Sequence, residues 1–221
     1  MQENAQTDTK LVLDRIRQDI VAGTFVSGAR LRIEDLAKRY GVSPMPVRES
    51  LGRLHGEGLV VIEQNRGARV RNIDERFVEN LFDIRAALES MLAMRGALRR
   101  SQDDIAKLRL EQEQLEAFIS LRDYPAILEA NRRFHKILND AAGNDEALTL
   151  ADRHWYLIAS LWKQYGYREE RFVGVISDHR QLIEAVERKD GSAAGAIMQA
   201  HVIKSKYDLL KMFRASGTAS S

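Results

Sequence analysis

The sequence predicts a mostly α-helical fold in two domains, a short N-terminal domain that contains a small β-hairpin and a longer domain built only of helices. Two observations predict this division. Both short β-type runs of the chain lie in its first third, together with Pro44 and Pro46. The remainder contains only Pro125, and its apolar residues recur at helical spacing, which favours long uninterrupted helices. We therefore place the domains at 10–72 and 74–213.

The N-terminal domain begins with a predicted helix at 10–22, followed by Gly23 as its stop. A turn and a short strand are predicted over 25–31. A second helix at 33–39 has one apolar face and ends before Gly41. Residues 1–8 and 214–221 are small and polar, and they are predicted to be frayed tails.

A third helix is predicted from the residue types at its start. Ser43 is a favoured N-cap residue, and Pro44 is tolerated in the first helical turn. This helix runs to about residue 56. Two β-type runs follow at 59–62 and 68–71, and they predict a hairpin. A helix, a turn of about four residues, a second helix and a hairpin make a winged helix-turn-helix, a fold that binds DNA.

The candidate DNA contacts lie on the third helix and at the hairpin tip. The start of an inserted helix reads base edges, while other groups bind phosphate. The predicted contacts are Ser43, Met45, Arg48, Arg53, Arg66 and Gly67. Any single arginine could equally be a solvated surface charge. Net charge gives modest support, because residues 1–73 carry +3 and the remainder −1.

The stretch GARLRIEDLAKRYGVSPMPVRESLGRLHGEGLV resembles the N-terminal domain of the GntR family. The positions that match the family pattern are Gly28, Leu31, Leu36, Ala37, Gly41, Val42, Ser43, Pro46, Val47, Arg48, Glu49 and Leu51. The resemblance implies that Arg48 and the wing-tip Arg66 contact DNA. The chain departs from the pattern at Pro44-Met45, where the family usually has Arg-Thr, so the operator sequence cannot be inferred from relatives.

The second domain is predicted to be a bundle of six helices. Their predicted ranges are 74–99, 102–121, 124–141, 145–165, 168–188 and 191–213. Ser101 with Asp104, and Asp123, have the residue types and positions of N-caps.

Several segments of this domain resemble the all-helical FCD effector domain of the FadR subfamily. The segment FDIRAALE resembles its opening, and NRRFH followed by DAAGN resembles its histidine-containing stretch. His179 and His201 stand where two later histidines of that domain belong. The family usually has aspartate where Asn131 stands.

A divalent metal site is predicted from these residues. Asn131 and His135 are four residues apart and share one helix face, while His179 and His201 lie on two further helices. Three imidazoles that converge in a bundle can bind a metal, with zinc or nickel favoured. A lone histidine on a helix is more often a core or surface residue, and His55 and His154 are read in that way.

Arg85 is the candidate effector-binding residue. The resemblance implies that it faces the effector cavity, where its guanidinium could bind a carboxylate. The alternative is a surface ion pair with Glu89, four residues on, worth only about 0.3 kcal/mol.

Together these features predict a DNA-binding transcription regulator, favoured to be a repressor, that responds to a small organic acid bound near the metal. A homodimer on an inverted-repeat operator is expected, without enzymatic activity. Three alternatives stay open: a regulator that senses its ligand without metal, a helical metalloenzyme, and a pure interaction module. No apolar leader or membrane span is visible and cysteine is absent, so a cytoplasmic protein without a membrane partner is expected.

Overall fold

The computed structural model describes residues 2–63, 67–153, 155–166 and 168–217. The elements run in the order α1 (Gln2–Val21), β1 (Arg30–Leu31), α2 (Ile33–Tyr40), α3 (Pro44–Gly56), β2 (Val60–Glu63), β3 (Gly67–Val70), α4 (Glu75–Arg99), α5 (Gln102–Leu121), α6 (Tyr124–Ala141), α7 (Asp145–Arg153), α8 (Trp155–Tyr165), α9 (Glu169–Glu187) and α10 (Gly191–Gly217). The predicted mostly α fold with a small β-wing is confirmed. None of the described helices is both long and apolar enough to cross a membrane.

The first compact unit comprises Met1–Asp74 and Asp152–Gln164. Its sheet has the order β1-β3-β2 with both pairings antiparallel, so β2 and β3 form the predicted hairpin and β1 adds a third strand. Gly41 ends α2 in the left-handed conformation, with φ 68°, which costs a glycine little. The chain can therefore turn sharply into α3, as a helix-turn-helix requires.

The first helix is longer than predicted. It begins at Gln2, whereas the sequence pattern placed its start at residue 10 and a frayed tail before it. Contacts with α3 explain part of the extension: Thr9 is buried, its hydroxyl donates to Glu49 at 3.0 Å, and the Ser50 hydroxyl donates to the Thr9 carbonyl at 3.1 Å. The predicted C-terminal tail is also helical as far as Gly217.

The region predicted as one helix at 145–165 contains α7 and α8 on either side of residue 154, which lies outside the described residues. Residues 152–164 group with the first unit rather than with the helical domain in which the sequence placed them. Three side chains of α8, those of Leu157, Leu161 and Trp162, are buried. A Cβ built on Gly58 would lie 3.1 Å from Leu157.

The second unit, Glu75–Ala151 and Tyr165–Ser221, is a helical bundle in which α4 packs against α10, α6 and α9, while α5 packs against α6 and α9. Two glycines allow close contacts between α4 and its neighbours. Gly96 on α4 lies against the backbone carbonyl of Leu138 on α6, and Gly191 on α10 lies against the backbone carbonyl of Met94 on α4. The predicted caps are confirmed, since Ser101 and Asp104 form a reciprocal capping box and Asp123 accepts from the Ala126 amide. This packing brings α4, α6, α9 and α10 together around one buried polar cluster.

Candidate functional site

Three histidines from three different helices converge inside the bundle. His135 lies on α6, His179 on α9 and His201 on α10, and all three are buried. Their ring centroids are 5.0 to 5.5 Å apart. One nitrogen of each ring lies within 4.8 Å of a nitrogen of the other two, which brings together three of the four residues predicted to bind a metal.

Each imidazole is held through its Nδ1 atom by a different polar partner. His135 Nδ1 lies 3.0 Å from Glu89 Oε2, His179 Nδ1 lies 2.9 Å from Gln112 Oε1, and His201 Nδ1 lies 3.3 Å from Asp178 Oδ2. The amide of Gln112 is oriented by Glu116, which accepts from its Nε2 at 2.8 Å. The oxygen of Gln112 therefore faces His179 and can only accept.

The acceptors fix the tautomer of the three rings. Since carboxylate and amide oxygens accept, each Nδ1 carries a hydrogen, and in the neutral form of each ring the lone pair is therefore on Nε2. The Nε2 atoms of His135 and His179 are buried and have no hydrogen-bond partner among the residues that the structure describes. Unpaired buried acceptors are costly, and a metal-binding histidine typically donates its other N–H to such a partner. The arrangement therefore fits a metal ion held by Nε2 atoms.

The electrostatics keep two of these rings neutral. Burial, reinforced by the neighbouring histidines and Arg171, holds the pKa of His179 well below its ordinary value. Burial likewise lowers the pKa of His201 to about 4, although Asp178 opposes the shift. Neutral imidazole is the form that binds metal, so both side chains are ready to do so near neutral pH.

Aromatic packing fixes the position of His179. Phe134 directly precedes His135 on α6, and its ring stacks on the ring of His179, with centroids 4.0 Å apart and planes 2° from parallel. Phe134 is fully buried. The same short segment of α6 therefore supplies one histidine and orients a second.

Asn131 lies one helical turn before His135 on α6 and is half-buried. No contact between its side chain and the histidines is described, so its part as a fourth ligand stays a prediction. His154, read as structural from the sequence, lies outside the described residues.

Arg85 forms an ion pair with Glu89, which the sequence indicated as the alternative to effector binding. The pair is buried, whereas the sequence predicted it on the surface. Arg85 Nη2 lies 2.6 Å from Glu89 Oε1, with 12% and 4% of the two side chains exposed. Although burial alone would raise the pKa of Glu89, Arg85 and His135 lower it to about 2. Arg85 thereby keeps the partner of His135 ionised, and effector binding by Arg85 stays a prediction.

A cavity of about 300 Å³ opens beside His201, between α9 and the middle of α10. Its walls include His201, Asp178, Lys204 and Arg171. Lys204 Nζ lies 2.6 Å from Asp178 Oδ1, and Arg171 Nη2 donates to the Ser205 hydroxyl at 2.8 Å. Cationic groups therefore stand where a small molecule could approach the histidine cluster.

The partners Glu89, Gln112 and Asp178 were not predicted from the sequence. Glu89 ends the quoted FDIRAALE segment and Asp178 directly precedes His179, but neither position indicates which histidine it contacts. Asp178 in fact bonds to His201, on the following helix.

Four of the six predicted DNA-contacting residues lie at the start of α3 or on its exposed side. Its buried residues are Pro46, Val47, Ser50, Leu51 and Leu54. The opposite surface exposes Ser43, Met45, Arg48 and Arg53. Ser43 occupies the N-cap position as predicted, but its side chain makes no capping hydrogen bond.

The wing is only partly described. Gly67 is exposed at the start of β3, with φ 81°, and Arg66 lies outside the described residues. The predicted role of Arg66 therefore stays a prediction.

The sequence matches two protein-family patterns in succession. Residues 9–70 match "Bacterial regulatory proteins, gntR family", and residues 80–204 match the FCD domain. These two segments correspond to the winged helix-turn-helix and to the helical bundle with its histidine cluster.

Known proteins resemble the chain over most of its length. The HTH-type transcriptional repressor GlaR of Escherichia coli (strain K12) is 28% identical over 198 residues, covering 85% of this chain and 89% of GlaR. The repressor RspR of the same strain is 26% identical over 194 residues, covering 85% and 82%. The structure of McbR/YncC from E. coli shares the fold, with a TM-score of 0.76 at 20% identity, covering 93% of this chain and 98% of that one. The chain therefore belongs to the GntR family of bacterial regulatory proteins and carries an FCD domain.

Proposed function

We propose that this regulator acts as a repressor, binds a double-stranded DNA operator through α3 and the wing, and changes its DNA occupancy when a small organic acid binds in the helical domain. The observation that carries the DNA-binding part is the exposed side of α3, where Ser43, Met45, Arg48 and Arg53 lie away from the buried face of the helix. Repression is supported by the names of the relatives GlaR and RspR.

Arg48 is the residue that we expect to read a base edge. It is exposed on the second turn of α3, and the beginning of a recognition helix is the part that enters the major groove. A guanidinium can donate two hydrogen bonds to a guanine, which discriminates that base from the others.

Replacing Arg48 with alanine should weaken binding to the cognate operator by about 1–3 kcal/mol, because a bidentate base contact is lost. Titration of the full-length protein against selected operator DNA and against an unrelated duplex measures this. The loss should be larger on the operator, since base contacts carry specificity. The fold should be unaffected, because the side chain is exposed.

Lys38→Ala provides a matched control, since it removes one exposed cation of the same unit from α2. Equal operator affinities for the parent protein and Arg48→Ala, at several salt concentrations, would refute the assignment of α3 as the base-reading helix.

We propose further that His135, His179 and His201 hold one divalent metal ion per chain through their Nε2 atoms, with zinc or nickel favoured and Asn131 as a further oxygen donor. Support comes from the two buried Nε2 atoms without partners and from the acceptors on all three Nδ1 atoms. When bound, such an ion supplies an open coordination position that can accept a carboxylate oxygen. The protein orients the three rings and keeps His179 and His201 neutral.

An organic acid is the proposed effector class because cationic groups stand beside the cluster. Arg171 and Lys204 line the cavity at His201, and both already bind polar or acidic side chains that a ligand carboxylate could replace. Arg85 is proposed to act on the same site from α4, either by contacting the effector or through its ion pair with Glu89.

The regulator is proposed to bind its operator as a homodimer. One winged helix presents one recognition helix, and two copies related by two-fold symmetry read two half-sites arranged as an inverted repeat.

A further inference from the structure

A groove in the first unit joins the wing to the recognition helix and is lined by three arginines. Arg30, Arg32 and Arg48 all contribute to its walls, and its volume is about 500 Å³. Glu34 is the one carboxylate among the lining residues that the structure describes. We name this surface, defined by the three arginines, the arginine groove.

The backbone places Arg30 and Arg32 on the same side of the chain. Arg30 lies on β1 and Arg32 directly precedes α2, with Leu31 between them. Both arginines are exposed, while Leu31 is 3% exposed and faces the core. This alternation is that of an extended segment, so the two guanidinium groups emerge on one surface.

The three arginines of the groove outnumber its one described carboxylate, Glu34, so the groove carries an excess of positive charge. Within the described part of the chain, no ion pair or hydrogen bond involves the side chains of Arg30, Arg32 or Arg48. Arg30 also stands directly opposite Arg69 in the sheet, and like charges at opposed positions are destabilising. Arg69 has Glu63 at 3.9 Å, whereas Arg30 has no such neighbour among the described residues.

Arg48 belongs both to this groove and to the exposed surface of α3. A DNA duplex seated on that surface of α3 is therefore also in front of Arg30 and Arg32. Phosphate oxygens are the part of DNA that arginines outside the base-reading helix usually contact.

We infer that Arg30 and Arg32 bind the DNA phosphate backbone beside the major groove that α3 enters. These contacts are additional to the residues of α3 and the wing tip proposed above. The inference rests on the proposed DNA-binding function. It assigns to β1 and the start of α2 a role in affinity rather than in sequence discrimination.

The test uses the full-length protein with both arginines replaced, Arg30→Ala/Arg32→Ala, and compares it with the parent protein on the selected operator and on an unrelated duplex. Each phosphate contact contributes about 0.9 to the slope of log affinity against log salt. The double variant should therefore lower the slope by about 1.8 per bound chain. This corresponds to an affinity loss of about thirtyfold per chain at 0.15 M relative to 1 M salt.

The loss should be similar on both DNAs, because phosphate contacts carry no sequence information. Arg30→Lys/Arg32→Lys should restore most of the slope, since an ammonium group also neutralises a phosphate. Arg15→Ala is the matched control: Arg15 is an exposed arginine on α1 that does not line the groove, and its loss should leave the slope unchanged.

The outcomes separate this inference from the proposed function. If the parent protein binds DNA and the double variant shows the same slope of log affinity against log salt and the same affinity, the inference alone is overturned. Parent protein that binds no DNA at any salt concentration would overturn the proposed function and the inference together. Thermal unfolding of each variant verifies that the fold is intact.

Discussion

Adding a stoichiometric divalent metal to metal-free protein is expected to raise its melting temperature substantially. An ion that binds only the native state stabilises by mass action, by about 2.7 kcal/mol at a free concentration one hundred times its dissociation constant. For a domain of this size that corresponds to about 5–10 °C. Differential scanning fluorimetry after chelator dialysis, with zinc, nickel and manganese offered separately, measures the shift.

The His179→Ala variant should lose this metal-dependent rise. His179 is one of two histidines whose buried Nε2 has no described partner, and its removal leaves too few nitrogen ligands for a tight site. The variant will also melt earlier without metal, because the stack on Phe134 is lost. The informative quantity is therefore the difference between the melting temperatures with and without metal.

Two further variants sharpen the metal experiment. His55→Ala removes an exposed histidine on α3 and should keep the full metal response. Asn131→Asp should increase metal affinity if residue 131 is a ligand, because an anionic oxygen replaces a neutral one. If the parent protein takes up none of the three metals and its melting temperature does not change, the metal proposal is wrong. The histidines would then be hydrogen-bonding groups of a metal-free effector pocket.

The Gly96→Ala substitution is expected to destabilise the helical unit by about 1–3 kcal/mol. A Cβ at this position would collide with the backbone carbonyl oxygen of Leu138, and a side-chain carbon lies within 2.9 Å as well. Backbone cannot move aside as a flexible side chain can, so α4 and α6 must separate. Urea denaturation measures the change in the midpoint of unfolding.

Gly174→Ala is the matched control for this substitution. Gly174 lies inside α9, and a Cβ there would meet nothing within 4 Å. Alanine is a better helix former than glycine by about 1 kcal/mol, so this variant should be as stable as the parent protein or more stable. Equal unfolding midpoints for the two variants would show that the contact between Gly96 and Leu138 does not limit the packing of α4. Because α4 carries Glu89, Gly96→Ala should also weaken any metal response.

The sequence was most informative where function depends on local structure. Gly41, Ser43 and Pro44 locate the turn and the start of α3 within a few residues, because the backbone conformations at helix ends favour these residue types, although Ser43 makes no capping hydrogen bond. The three histidines were predicted through a resemblance, and the structure brings them together.

Sequence reasoning failed where contacts join distant segments. The predicted metal site places His135 inside the bundle, but it does not indicate that Glu89, 46 residues earlier, contacts it. The polar composition of residues 1–8 suggested a tail, because the anchoring of Thr9 by Glu49 and Ser50 depends on packing against α3. Similarly, the sequence of α8 is that of an ordinary apolar helix, and its residues give no indication that it groups with the first unit.

Selection of binding sites from a pool of random duplex DNA tests the central claim most directly. Purified full-length protein should enrich a short inverted repeat, with each half bound by one chain, and the enriched sequence should lose affinity for the Arg48→Ala variant. Binding should also weaken steeply with salt, as release of counterions from phosphates requires. Failure to enrich any sequence, or enrichment of a single asymmetric site bound by one chain, would contradict a dimeric operator-binding regulator.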